Sequence, residues 1–410
     1  MASGVVNSSI VLSPSSKTYL FPLDPKEVMY DTDVIKPYVY DSSTQTYKGA
    51  FHEKKPKSYY IVINYCPVED EDALKNAIVH SMKPRAVSPS SASTLSTLPL
   101  LLPESAKTDR NLRNCLASIL FSSLECEGIF FSKQPVLATY GCGQTSALVW
   151  DSGYSRTTSS VVLQGYTLQS TIIETPIGGC FFNKEILSLF QDKQVVYPFY
   201  AYSKKPTMKP FRETFITQSY WDWSLECMVE DIKRQLSFNR SENDFVKSKN
   251  GISYQLPDNT FIDTSQLSHV LDPLVSGNHQ ETCENLLSEM SSDGKLNTKD
   301  WSCSCMMLES LNRANKEKTS KVKSHLNSIV VTGGNTMFSG FFSKFQKEVH
   351  TQLESYSNLK ILYPPQKHLR RHTVFIGSSI LTCLASFQDF LVTRSEYEEH
   401  GDTIFDKKCP

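Results

Sequence analysis

Apolar positions along this chain take two forms that alternate from one end to the other. Short continuous runs predict buried strands at Ile10–Leu12, Tyr59–Asn64, Leu98–Leu102, Ala147–Trp150, Val161–Leu163 and Ser328–Val331. Between them lie stripes with a period near 3.6, which predict amphipathic helices. Leu74, Ala77 and Ile78 mark one over Val68–His80. Leu112, Leu116, Ile119, Leu120 and Leu124 mark a second over Asn111–Leu124. Phe182, Ile186, Leu189 and Phe190 follow Gly178-Gly179, and Met228, Val229 and Ile232 face inward over Leu225–Leu236. Phe338, Phe341, Phe342, Phe345 and Val349 form a stripe late in the chain, and Phe375–Phe390 reads as one apolar helix. Strands interleaved with helices give an α/β class with mixed sheets.

The polar segments punctuate this pattern. Thr44–Lys57 is polar and basic and predicts an exposed loop, and Lys83–Thr97 is rich in Ser and Pro. Gln280–Lys323 is polar and helix-prone, and its basic stretch from Arg313 reads as a solvated helix face.

Composition narrows the function classes. The 410 residues suffice for two domains. A formal net charge of −1 supplies no bulk field toward nucleic acid or anionic lipid, so no direct sequence-specific nucleic-acid binding is expected. No apolar run reaches the roughly 18–20 residues of a membrane helix, and Met1–Ser9 has no secretory signal pattern, so no membrane partner is expected. Eleven scattered cysteines read as free thiols. Cys303 and Cys305 lack zinc-knuckle spacing and His368/His372 lie among arginines, so no metal site is expected.

The candidate chemistry is a phosphate clamp. Asp151-Ser152-Gly153-Tyr154-Ser155-Arg156-Thr157 is an acidic, Gly-containing turn between two strand runs, a pattern that aims backbone N–H groups at phosphate and a carboxylate at a hydrated metal. The facing turn would be Ser13-Pro14-Ser15-Ser16-Lys17-Thr18, which has neither carboxylate nor glycine. Strand, Thr332-Gly333-Gly334-Asn335 turn and helix make a second candidate, because missing Cβ atoms let backbone approach a ligand. A tight strand-to-helix connection would look the same.

Four blocks in fixed order carry a resemblance. They are Gln134-Pro135-Val136-Leu137 through Thr157; Tyr254-Gln255-Leu256-Pro257-Asp258; Val331-Thr332-Gly333-Gly334-Asn335-Thr336-Met337; and Phe375 to Phe387 with Glu396-Tyr397-Glu398-Glu399-His400-Gly401 and Lys408-Cys409-Pro410. From Tyr59 to Pro410 the chain resembles actin and the actin-related proteins. The stretch Thr217-Gln218-Ser219-Tyr220-Trp221-Asp222-Trp223 and the Cys-Pro tail resemble the nuclear actin-related subunits of chromatin remodelling and histone acetyltransferase complexes. The resemblance implies an actin-like two-domain fold, with duplicated ribonuclease-H-like domains around a central nucleotide cleft. The small domain would be residues 1–141 plus 373–410, and the large one 142–372, with 178–278 as its outer part.

Carried over residue by residue, the resemblance assigns Ser16, Asp151, Gly153 and Thr157 to phosphate, and Lys233, Gly333, Gly334, Asn335, Met337 and Arg371 to the purine side. Gln134 matches the water-orienting position. Departures accompany these matches: Ser13 stands for an Asp, Ser15 for a Gly, Leu20 for a Lys, Tyr154 for a second Asp, Ser155 for a Gly and Arg234 for a ribose-holding Glu. Each charge-assisted bond contributes on the order of 1.5–3 kcal/mol. Their loss predicts about two decades or more of lost affinity, hence weak ATP binding, no required cofactor and no catalysis. The expected role is then structural, in the nucleus, with the cytoplasm and a cytoskeletal ATP-binding protein as the alternative. The expected partners are an amphipathic actin-binding helix from a remodeller or scaffold subunit, actin itself and other complex subunits. The helix would sit on a groove of Tyr140, Gly143, Thr145, Tyr166, Leu381, Leu384 and Phe390.

Overall fold

Buried apolar runs form the sheets and amphipathic stripes cover them. The structure, a computed structural model, describes residues 10–11, 38–41, 46–49, 59–61, 99–108, 110–123, 126–191, 218–237, 253–256, 261–276, 302–316, 326–353, 356, 358–384 and 386–409. The chain divides into two units: Met1–Val149 with Val162–Gln169 and His372–Pro410, and Trp150–Val161 with Ser170–Arg371. The predicted helix over Val68–His80, the predicted loop over Lys83–Thr97 and the predicted turn carrying Ser13, Ser15, Ser16 and Leu20 lie outside the described residues.

In the first unit, β1 (Ile10–Val11), β5 (Leu100–Glu104), β6 (Gly128–Lys133) and β15 (Val392–Thr393) form a sheet in the order β1-β5-β6-β15. The β1/β5 and β5/β6 pairs are parallel, and β15 runs antiparallel to β6. A separate sheet joins β2 (Tyr38–Asp41), β3 (Thr46–Gly49) and β4 (Tyr59–Ile61), so part of the segment Thr44–Lys57 expected as a loop is a strand paired with β2. Leu100, Leu101 and Leu102 are all buried, because both faces of β5 are covered. On one face lie helix α1 (Arg110–Ser123), through Ala117, Leu120 and Phe121, and the tail residues Ile404 and Phe405. On the other lie Leu137 of α2 (Gln134–Gly141), Leu381 of α9 (Thr373–Thr382) and Phe387 of α10 (Phe387–Phe390).

Two predicted helices differ in detail. The inner face of α1 includes Arg113, while Leu112 and Leu116 are only half-buried. Arg113 tolerates this position because Glu104 of β5 accepts from its Nε at 2.9 Å and from Nη2 at 2.5 Å. Lys133 Nζ approaches the same carboxylate at 2.7 Å, and Arg113 also donates to the Cys409 carbonyl at 3.2 Å. Removal of these charges from water is offset only by such pairing. The predicted Phe375–Phe390 helix is broken into α9 and α10, since the chain leaves helical geometry after Cys383.

The second unit is built on β7 (Ala147–Ser152), β8 (Thr157–Leu163), β10 (Ile173–Thr175), β13 (Ser328–Thr332) and β14 (Lys360–Leu362), in the order β10-β8-β7-β13-β14. The first three residues of β7 and the last two of β8 count with the first unit, as does β9 (Tyr166–Thr167), which pairs with β8. Phe341 and Phe345 of α7 (Phe341–Gln352) pack on Trp150, with ring centroids 5.8 and 5.2 Å away. Helix α3 (Gly179–Gln191) buries Phe182 and Ile186, and α4 (Gln218–Arg234) buries Met228, Val229 and Ile232, the faces their periodicity predicts. The antiparallel pair β11 (Ser253–Gln255) and β12 (Phe261–Asp263) and the short helix α5 (Pro273–Ser276) belong to this unit. Helix α6 (Cys303–Lys316) accounts for part of the polar Gln280–Lys323 stretch, and it buries Met306, Met307 and Leu311.

Candidate functional site

The acidic turn between β7 and β8 spans Gly153–Arg156 and is closed by Gly153 N–H donating to the Arg156 carbonyl at 3.0 Å. Its base is a hydroxyl pair, Ser152 Oγ and Thr157 Oγ1, 2.7 Å apart. Thr157 Oγ1 donates onward to the Ile177 carbonyl at 2.5 Å, which ties the hairpin to the segment leading into α3. The Asn335 amide donates to Ser152 Oγ at 3.0 Å and to the Gly153 carbonyl at 2.7 Å. Predicted residues Gly153, Thr157 and Asn335 therefore meet in one network inside the second unit.

The start of α3 also points at this turn. Gly179 N–H donates to the Gly153 carbonyl at 3.0 Å, and Cys180 N–H donates to the Tyr154 carbonyl at 2.7 Å. A Cβ on Gly178 would collide with that same Tyr154 carbonyl, so the close approach requires glycine. The Tyr154 ring lies against Gly179, where an added Cβ would stand 3.1 Å from Cδ2. Lys233, 6% exposed, donates from Nζ to the Gly179 carbonyl at 3.1 Å and sits 5.7 Å from the centre of the Tyr154 ring. Such a cation–aromatic contact contributes about 0.5–2 kcal/mol.

The two glycines after β13 have different reasons to be glycine. Gly333 has φ +102°, and a Cβ there would strike the Ser152 carbonyl and come 2.7 Å from Asp151 Oδ1. It is required by packing of the turn on the hairpin. Gly334 is exposed, with open space where its Cβ would be, and is the position where a ligand could approach backbone. Met337, half-buried, ends that turn.

Arg371 is exposed, while its neighbour Arg370, which the sequence reading passed over, holds the turn. The Arg370 carbonyl accepts from Gly333 N–H at 3.4 Å and from Thr332 Oγ1 at 2.8 Å. Its guanidinium donates to the Thr336 carbonyl at 2.9 Å and stacks over Phe342 and Tyr363. Nothing in the sequence separates the two adjacent arginines, one ending the short helix α8 (Lys367–Arg370) and the other following it. Asp151 is half-buried at the end of β7, and desolvation pushes its carboxyl up to about 6.

Gln134 belongs to the first unit, where it is buried at the first position of α2. The predicted groove residues belong to that unit too. Tyr140 and Gly143 close the end of α2, and the Gly165 N–H donates to the Thr145 carbonyl at 2.9 Å. The Tyr140 hydroxyl occupies the space a Cβ on Gly165 would need, which sets Tyr166 beside it. Helices α2 and α9 approach so closely that a Cβ on Gly377 would collide with the Leu137 carbonyl, and one on Gly141 with the Thr373 carbonyl. Tyr166 is 62%, Ile380 44%, Leu384 48% and Phe390 41% exposed. Leu381 differs: at 6% exposed it packs with Leu101, Leu137, Phe387 and Leu391, so it supports this surface from below. Ile380, one residue earlier, is the exposed apolar position that the sequence reading missed.

Comparison with known proteins agrees with this architecture. The actin family pattern matches residues 29–410. Actin-related protein 4 from Oryza sativa subsp. indica and from Oryza sativa subsp. japonica are each 28% identical over 327 residues, covering 76% of this chain and 71% of the relative. Actin-related protein 4 from Arabidopsis thaliana is 27% identical over 323 residues, covering 76% and 72%.

Proposed function

From the premise that the chain belongs to the actin family, we propose that it is a nuclear actin-related scaffold subunit of a chromatin remodelling or histone acetyltransferase complex, and that it receives an amphipathic helix on the surface formed by α2, α9 and β9. The fold is the actin fold, so the question is what this member does with it. The observation that carries the reading is the exposed apolar set Tyr166, Ile380, Leu384 and Phe390 in one unit. Phe261 is the remaining large hydrophobic residue so exposed among the described residues, and it belongs to the other unit. Exposed apolar side chains on and beside a helix pair that glycines draw together suit a helix that presents anchors at i, i+3 or i+4, and i+7. The nuclear assignment is supported by similarity to Actin-related protein 4 and by the stretch from Thr217 to Trp223, whose last six residues open α4.

The experiment is a titration of a fluorescent amphipathic helical peptide, taken from a remodeller's actin-binding segment, into the purified chain. Cys383 is exposed immediately beside Leu384 and serves as a reporter. Micromolar binding with protection of Cys383 from alkylation is expected. Absence of binding at peptide concentrations of about 1 mM would reject the helix-receiving role.

A further inference from the structure

The acidic turn in the second unit carries groups of the types that hold a nucleotide phosphate, yet each of those described above is directed at protein. The two N–H groups at the start of α3, a natural anion site through their alignment with the helix axis, donate to the carbonyls of Gly153 and Tyr154. Gly153 N–H is directed to Arg156. The Asn335 amide donates to Ser152 and Gly153, and the Lys233 ammonium donates to Gly179 beneath the Tyr154 ring. Arg156, the cation of the turn, pairs with Glu174 at 3.1 Å.

We infer that this hairpin is self-liganded: Tyr154, Lys233, Asn335 and the α3 N-terminus together form an internal lock, and the second unit reaches its folded state with no nucleotide or divalent cation. These residues do not fit a triphosphate with its hydrated metal. Asp151 is the single carboxylate of the hairpin from Ala147 to Leu163. A phosphate group at the turn would have to compete with carbonyl acceptors already bonded at 2.7–3.0 Å. A Tyr at position 154 supplies bulk and a polarisable face where a carboxylate or glycine would leave room for a ligand. This deepens the scaffold reading, on which it rests for its meaning, by explaining how the fold dispenses with a ligand.

Two measurements on the full chain test it. Thermal unfolding is followed with 1 mM Mg–ATP, with EDTA, and with neither. A ligand present at about 100 times its Kd raises Tm by several degrees in a protein of this size. The lock predicts the same Tm in all three conditions, to within about a degree, and a rise of several degrees with Mg–ATP that EDTA abolishes would overturn it. Hydrogen exchange over residues 178–186 is then compared with and without Mg–ATP. Slow exchange at Gly179 and Cys180 in ligand-free protein is expected, and fast exchange that slows only on adding nucleotide would overturn the inference. Asn335→Ala, which removes two donors from the lock, is expected to speed exchange over these residues at least tenfold; unchanged exchange in a folded variant would also count against it. Helix-peptide binding, measured on the same samples, reports on the scaffold reading separately. Peptide binding together with a nucleotide-dependent Tm would sink the lock alone, and a ligand-independent Tm without peptide binding would sink the scaffold reading alone.

Discussion

The hairpin of the second unit and the apolar surface of the first handle their exposed chemistry in opposite ways. At the hairpin, N–H groups, an amide and an ammonium donate to carbonyl and hydroxyl oxygens of the same unit. At the α2/α9 surface, Tyr166, Ile380, Leu384 and Phe390 are each partly exposed among the described residues, at a cost of about 25 cal/mol for each Å² left unburied. Under the proposed lock, the hairpin folds without a ligand. A region that leaves apolar area open gains from a partner that covers it. The contrast locates the proposed function in the first unit, although the sequence motifs most suggestive of chemistry lie in the second.

Substitutions can break or sharpen this contrast. Gly333→Val should act most strongly. The backbone conformation there disfavours a β-branched side chain, and the new atoms would meet the Ser152 carbonyl and Asp151. Strain and overpacking together predict a loss of about 3 kcal/mol or more in urea denaturation, without a direct effect on peptide contacts. Leu384→Asp comes next. It places a charge on the apolar surface and should weaken helix-peptide binding at least tenfold, about 1.4 kcal/mol, while Tm stays within a degree or two because Leu384 is already half exposed. An unchanged peptide Kd would move the docking surface elsewhere. Asp151→Asn should have the smallest effect. Its carboxyl is raised above the ordinary value, so the folded state holds a proton that the unfolded chain has released between about pH 4 and 6. Stability from this group is therefore full below that window and lost as pH rises through it. The Asn variant should flatten that slope and gain about 1 kcal/mol above pH 6, a modest figure because Asp151 is partly solvated. A variant less stable at pH 7.5 than the parent would show that the carboxylate has a compensating partner.

The sequence was most legible where one physical requirement dominates. Strands β5, β7 and β13 read as unbroken apolar runs because both sheet faces are covered, and the Phe341, Phe345 and Val349 stripe follows directly from the face that packs on Trp150. Arg113 was hidden because its burial depends on Glu104, nine residues away, and on Lys133 and Cys409, which no local period relates. The break after α9 was hidden because no Pro or Gly lies between Leu381 and Phe387 to mark it, although both reach the same core. Within the candidate site, Gly333 and Gly334 look alike in sequence, and only the neighbouring hairpin separates the glycine that packing requires from the one that faces open space. Tyr154 was legible as a departure from the family pattern. Its engagement with Gly179 and Lys233 was not, since it depends on the arrival of α3 and α4 from distant parts of the chain.

The most direct test of a ligand-independent scaffold is the dissociation constant of the helix peptide measured on one preparation, first in EDTA and then with about 1 mM Mg–ATP. The account predicts the same micromolar value in both. A peptide that binds only when Mg–ATP is present would contradict it.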